Sequence, residues 1–206
     1  MYDNRPYRRG YSLVELMMVI AILAVVAAAL VPSASNSISE QLEAAARVLA
    51  ADLDYARTLA VTHESKYKAA FSTSQHQWTL THSGTDTSLN PLPASPFHLA
   101  QEPATQRTTQ LRALLGTVAD LSIHSVYANG SSLAAIGEVE FGPLGSTTRS
   151  EETVIWLAAG SGSATRYVPV RVNPVTGLAT VGSFQSTAPP QPASGTSPLN
   201  VPPGGI

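Results

Sequence analysis

One carboxylate, Glu15, stands inside a run of apolar residues otherwise fit for a membrane: from 11 to 31 the only polar side chains are Tyr11, Ser12 and Glu15. A charge near a bilayer's core costs about 2.5 to 3.5 kcal/mol on insertion scales, and an ionisable group there marks a functional site. The chemistry open to it is pairing, because a carboxylate and an ammonium attract strongly at low dielectric while each alone bears a large desolvation penalty. Glu15 is therefore read as a partner-seeking group that sets registry. The other titratable residues do not assemble into a reaction centre. His63, His76, His82, His98 and His124 are scattered. On one strand His76 and His82 would share a face but lie too far apart to ligate one ion directly, so no metal site is expected. Asp52 and Asp54, two apart on a helix, point in different directions and read as solvated or capping charges rather than an acid/base pair. Arg47 and Arg57 are expected to pair with nearby acids or with carbonyls of the domain that follows. There is no Gly-x-Ser-x-Gly elbow, P-loop or dinucleotide fingerprint, so the reading is of a protein that is not an enzyme and takes no cofactor.

The element that carries Glu15 is a helix over 11–31, about 30 Å long at about 1.5 Å per residue, which matches the hydrocarbon core of a bilayer. Arg5, Arg8 and Arg9 precede it against a single acid, Asp3. A basic flank stays cytoplasmic, which sends the rest of the chain across the membrane. The competing reading is a secretory signal cut near Ala27-Ala28-Ala29 or Ser33-Ala34-Ser35. Such a signal has a shorter, uncharged apolar region of about 7 to 15 residues.

Gly10-Tyr11-Ser12-Leu13-Val14-Glu15-Leu16 resembles the processing site of type IV prepilins and of the pseudopilins of type II secretion. The resemblance implies that a prepilin peptidase cuts after Gly10 and methylates the new amino terminus of Tyr11, making 1–10 a leader. Tyrosine at the first mature position keeps the ring of the family's usual phenylalanine and adds a hydroxyl. By the same resemblance, Glu15 is what the free amino terminus of a neighbouring subunit finds during assembly.

Pro32 interrupts the helix, and a kink rather than a stop is expected there, since an interior proline removes one hydrogen bond and clashes one turn back. Apolar residues resume at Ile38, Leu42, Ala45, Leu49, Leu53, Ala56 and Ala60, one face of an amphipathic helix over 32–63 that anchors a globular head. From 64 to 184 the pattern changes to short β-branched and aromatic runs between turn residues. Strands are predicted over 66–72, 75–82, 118–127, 139–141, 153–158, 167–172 and 179–184. Turns are predicted at Asn129-Gly130, Gly142-Pro143-Leu144-Gly145, Gly160-Ser161-Gly162 and 173–177. A long proline-bearing loop is expected over 83–110, with a short helix near 109–115, and a proline-rich, extended, mobile tail over 185–206. The fold class is thus α+β, a long N-terminal helix packed on a mostly antiparallel β head.

A second resemblance is carried by Arg47-Val48-Leu49-Ala50-Ala51-Asp52-Leu53-Asp54-Tyr55-Ala56-Arg57-Thr58-Leu59-Ala60-Val61, by Val139-Glu140-Phe141-Gly142-Pro143-Leu144-Gly145-Ser146 before Val154-Ile155-Trp156-Leu157, and by Val168-Pro169-Val170-Arg171-Val172 and Thr176-Gly177-Leu178. These are similar to the helix and closing strands of the GspH/FimT group of minor pseudopilins and minor pilins. The group implies a pilin-like fold and a single-pass inner-membrane protein with its N-terminus cytoplasmic and its head periplasmic. The implied function is as a minor subunit of the type II secretion pseudopilus. Implied partners are the peptidase, the other major and minor pseudopilins, and a secreted substrate or the secretin, with loop 83–110 as a contact surface. Two alternatives stay open: a minor type IV pilin in pilus assembly, adhesion or DNA uptake, and a secreted or membrane-tethered β-rich binding module. The net charge of −2 becomes −4 once a leader of three arginines and one aspartate is removed, and no lysine or arginine follows Arg171. That balance argues against a nucleic-acid partner. The absence of cysteine excludes a disulfide-stapled head.

Overall fold

The computed structural model describes residues 12–30, 34–93, 102–114 and 120–192. The chain divides into two compact units, Met1–Asn36 and Ser37–Ile206. In the first, helix α1 (Leu13–Leu30) opens with the amide of Leu16 donating to the carbonyl of Ser12 at 3.1 Å. From Leu13 to Val26 its apolar side chains are exposed on every side, with Val14 at 72%, Ile20 at 58% and Val25 at 71% exposure. A helix apolar all round has no solvent face and belongs among lipids or other apolar helices. Among the described residues no helix is long and apolar enough to cross a membrane. The expected run extends past both ends of α1, to Tyr11 and Val31, which lie outside the described residues, as does the expected kink at Pro32.

Helix α2 (Ala34–Thr62), which belongs to the second unit from Ser37 on, carries the predicted stripe. Leu42, Ala45, Leu49, Leu53, Ala56 and Ala60 are completely buried and Ile38 packs against them in part. Alanines between the leucines let the helix backbone come close to the sheets. The helix ends in paired capping bonds, Ser65 N–H to Ala60 O at 3.1 Å and Glu64 N–H to Val61 O at 3.3 Å, with Glu64 in the left-handed region at φ 48°. This is the capping geometry usually given to glycine.

Two antiparallel sheets pack around α2. The four-stranded sheet has the order β3-β2-β1-β6, from β1 (Tyr67–Ser72), β2 (Gln77–His82), β3 (Gln106–Gln110) and β6 (Glu138–Phe141). The five-stranded sheet runs β5-β4-β7-β8-β9, from β4 (Ser122–Asn129), β5 (Leu133–Ala135), β7 (Glu152–Ala159), β8 (Arg166–Val172) and β9 (Ala179–Val181). One core joins them to α2, with Tyr67, Trp78, Phe141, Ile155, Leu157 and Val170 among its members.

The expected strands over 75–82 and 118–127 begin later, at Gln77 and Ser122. Gln75 and His76 belong to the β1–β2 turn, where His76 takes φ 51°. The strand expected over 179–184 stops at Val181. The loop expected over 83–110 is not a loop throughout: its last five residues form β3, which pairs along β2 from Gln77↔Gln110 to Thr81↔Gln106. A polar Gln-Arg-Thr-Thr-Gln strand with no buried residue carries no apolar periodicity signal, although backbone pairing with β2 places it at the sheet edge. That edge is occupied from within, since the outward amide of Thr108 is bonded to the Glu102 carboxylate and Gln106 N–H donates to Pro103 O. Such capping hinders a foreign strand from adding there. The short helix expected near 109–115 is α3 (Leu111–Leu114).

Candidate functional site

Glu15 stands in the first turn of α1, exposed to the surroundings of the helix. A carboxylate at that position is favoured by the partial positive charge of the helix start. Gly10 and Tyr11, the cleavage and methylation residues, lie outside the described residues.

Among the described residues, two side chains of α2, Arg57 and Asp52, tie the head to the helix. Arg57 projects from α2 between two turns and donates through Nε to the carbonyl of Thr176 at 2.7 Å and that of Gly145 at 3.2 Å. Both turns are built for the approach. Gly145 has φ 81° and Gly177 φ 64°, and a Cβ on Gly177 would fall 1.9 Å from the Gly145 carbonyl oxygen. Asn173 Oδ1 accepts from the amides of Val175 and Thr176 and shapes the second turn. Three of the segments behind the second sequence resemblance therefore meet at one guanidinium, as expected of an Arg57 that pairs with nearby acids or head carbonyls. Arg47 pairs with Glu43 one turn earlier on the same helix.

Asp52 corrects the sequence reading, which made it a solvated or capping charge. Its side chain is only 12% exposed. It accepts from Trp78 Nε1 at 2.8 Å, Thr109 Oγ1 at 2.9 Å and Arg107 Nη2 at 3.0 Å. Arg107 also lies over the Tyr55 ring at 5.4 Å from its centroid. One helix carboxylate thus holds β2 and β3 to α2. The three partners are 26 to 57 residues away in sequence, so helical spacing gave no hint of them. Asp54 stays peripheral, with the amide of Ala179 at 3.5 Å from Oδ1.

A third arrangement was not foreseen. Ser65 Oγ is 2.7 Å from His82 Nε2, and His82 Nδ1 is 2.9 Å from Asn90 Oδ1. The order of groups is that of a nucleophile, a base and an orienting amide. Gly84 lies against this pair, since a Cβ built there would come within 2.1 Å of Ser65 Oγ and 2.8 Å of His82 Nε2. The cluster instead clasps the segment after β2 to the end of α2. Asp86 helps by capping the 3-10 turn Thr87–Leu89, accepting from the amide and hydroxyl of Ser88. Those bonds hold its carboxyl below the usual range. His82 also meets the Tyr67 ring edge-on at 4.9 Å. Burial, and secondarily Tyr55, pushes the Tyr67 phenol up. His76 does not share a strand face with His82: its carbonyl and ring bind the amides of Leu111 and Ile123.

Residues 5–31 match the family model of the prokaryotic N-terminal methylation motif. Gly10, Tyr11 and Glu15 all fall within it, and the chain is type IV prepilin-like over this segment. Among curated proteins none matches significantly. Among solved structures, the chain is similar to the type IV minor pilin FimU of Pseudomonas aeruginosa strain PAO1. In one crystal form, P21, the identity is 16% and the TM-score 0.43, covering 75% of this chain and 96% of that one. In the other, P65, the values are 16% and 0.42, covering 73% and 98%.

Proposed function

We infer that this chain is a minor subunit of a type IV pilin-like filament, cut after Gly10 and N-methylated on Tyr11 by a prepilin peptidase. The observation that carries the reading is the methylation motif over 5–31 with Glu15 in the first turn of an all-round apolar helix. The apolar run 11–31 anchors the unassembled subunit in the inner membrane, with the basic leader cytoplasmic and the head periplasmic. During assembly the helix leaves lipid for a bundle of like helices, and Glu15 pairs with the amino terminus of a neighbour. Function resides in assembly, and the protein is not an enzyme.

Of the two filament types, we favour the type II secretion pseudopilus, in which the head works with other minor pseudopilins and with a secreted substrate or the secretin. The lack of any lysine or arginine after Arg171 speaks against DNA uptake through the C-terminal part of the head. The test is incorporation. Removing one member of a buried ion pair costs about 3 to 5 kcal/mol, so Glu15→Ala should insert normally yet be missing from sheared filaments. An alanine variant that enters filaments as well as the parent would remove Glu15 from this role.

A further inference from the structure

The five-stranded sheet has two faces, and α2 covers only one. Along β7, Ile155, Leu157 and Ala159 point into the common core. The alternate residues Val154 and Trp156 form a second apolar cluster with Tyr127 of β4, flanked by Leu133 and Tyr167. On this outer face Trp156 is only 2% exposed, Val154 1% and Tyr127 5%. Something must cover an indole buried that deeply on the side away from the helix.

Among the described residues, the chain that follows β9 first continues along the edge of β8 and then turns toward β4. Gly182 N–H donates to Pro169 O at 2.8 Å, and Gln185 and Tyr167 exchange two backbone bonds of 2.9 Å each. Pro189 is buried, and Gln191 Nε2 lies 3.4 Å from His124 Nε2. Tyr167 is on β8 and His124 on β4, with β7 between them. The segment Gln-Ser-Thr-Ala-Pro-Pro-Gln-Pro therefore runs from the β8 edge at Tyr167 to His124 of β4, past β7 at the level of Ala158, with Pro189 buried on the way. The small Ala158, paired with Tyr167 across the ladder, leaves room for the Tyr167 and His124 rings to meet edge-on at 5.1 Å. His124 reaches this face because the β4–β7 register shifts between Ile123 and Ser125.

The chemistry of the face suits its occupant. Proline-rich segments are pre-extended, lose little entropy on docking, and seat on aromatic grooves. Their missing amides prevent them from extending a ladder, so they hold by ring burial. Trp156 Nε1 donates to Tyr127 Oη at 2.9 Å, which fixes both rings side by side. Ser125 Oγ, opposite Trp156 in the ladder and 93% buried, has no partner among the described residues, leaving a polar atom in the groove for an incoming backbone group.

We propose that the outer face of the five-stranded sheet, built on Trp156, Tyr127, Tyr167 and Pro169, is a docking groove for an extended proline-rich segment. Residues 185–192 fill it in the isolated chain and act as a displaceable strap. This inference stands apart from the filament reading, so either can fail alone.

The experiment uses the full chain in detergent with Trp78→Phe, which leaves Trp156 as the sole tryptophan, excited at 295 nm to spare the tyrosines. In that parent, acrylamide quenches Trp156 weakly. Ending the chain after Ser183 should give a red-shifted emission and a severalfold rise in the quenching constant with circular dichroism unchanged. A synthetic peptide of residues 183–195 should reverse both, and the same peptide with alanine at its prolines should not. Emission unchanged by the truncation overturns the strap. Exposure without reversal by the peptide, or equal reversal by the alanine peptide, overturns the groove's preference for proline. If the truncated chain does not fold, Pro189→Ser in the full-length parent is the second arm: a raised quenching constant supports the proposal and an unchanged one refutes it.

Discussion

Replacing Asp52 by alanine should be among the most damaging single changes in the head, and the structure sets its size. The carboxylate binds three donors, one of them the indole of Trp78, whose residue is 1% exposed. Hydrogen bonds to a charged group contribute about 1.5 to 3 kcal/mol each without adding fully, and an orphaned buried donor costs about 1 to 3 kcal/mol. Breaking a buried ion pair costs about 3 to 5 kcal/mol. Arg107 keeps 28% of its side chain exposed, so water recovers part of that charge and the lower end applies. The expected loss is about 3 kcal/mol, a large share of the about 5 to 15 kcal/mol that holds a typical domain. Urea unfolding followed by tryptophan fluorescence reads it as a midpoint lowered by about 1.5 M, for a slope near 2 kcal/mol/M. Arg107→Ala leaves Asp52 two of its three partners and should cost less, and the double variant should show coupling between the two sites. A loss under about 1 kcal/mol at unchanged slope, the range of an exposed pair, would refute the assignment of Asp52 as the tie between α2 and β2–β3.

The Arg57 clamp predicts that Arg57→Lys destabilises by about 1.5 to 3 kcal/mol, because an ammonium on a flexible stem does not reproduce the planar Nε donor between two turns. Thermal unfolding checks this, and a lysine variant as stable as the parent contradicts it. Thr153 is 1% exposed and its hydroxyl has no partner among the described residues, so Thr153→Val should stabilise by about 1 kcal/mol, read as a raised Tm. Burial lowers the His124 imidazole from its ordinary 6.5. The unfolded chain therefore takes up that proton first, and stability, full above pH 6.5, declines as pH falls through it toward the folded value. His124→Gln should flatten that part of the pH–stability curve, and an unchanged slope would place its origin elsewhere.

The anchoring helix was legible because six residues at steps of three and four have one physical reading, and all six are buried. The strands β1, β7 and β8 were legible for the same reason, their apolar residues facing a common core. β3 was not, since a polar edge strand is held by its neighbour's backbone and by polar ties to a distant helix carboxylate, neither of which gives an apolar period. The polar ties escaped in different ways. Arg57 was expected to find carbonyls, but Gly145 and Thr176 lie 88 and 119 positions away. Asp52 was misread because a helical spacing rule sees only its own helix. The proline-rich segment was expected to be free, on composition alone. Its first residues instead run from a bridge with Tyr167 to His124 with Pro189 buried on the way, contacts to distant strands that composition does not reveal.

The central claim is that this is a processed filament subunit, and the mass of its N-terminal peptide tests it most directly. The protein should be extracted from membranes of cells with and without a prepilin peptidase. The account predicts a terminus beginning at methylated Tyr11 only when the peptidase is present. An intact leader in both, or a peptidase-independent cut near Ala34, would contradict it and return the chain to a secreted or tethered β-rich binding module.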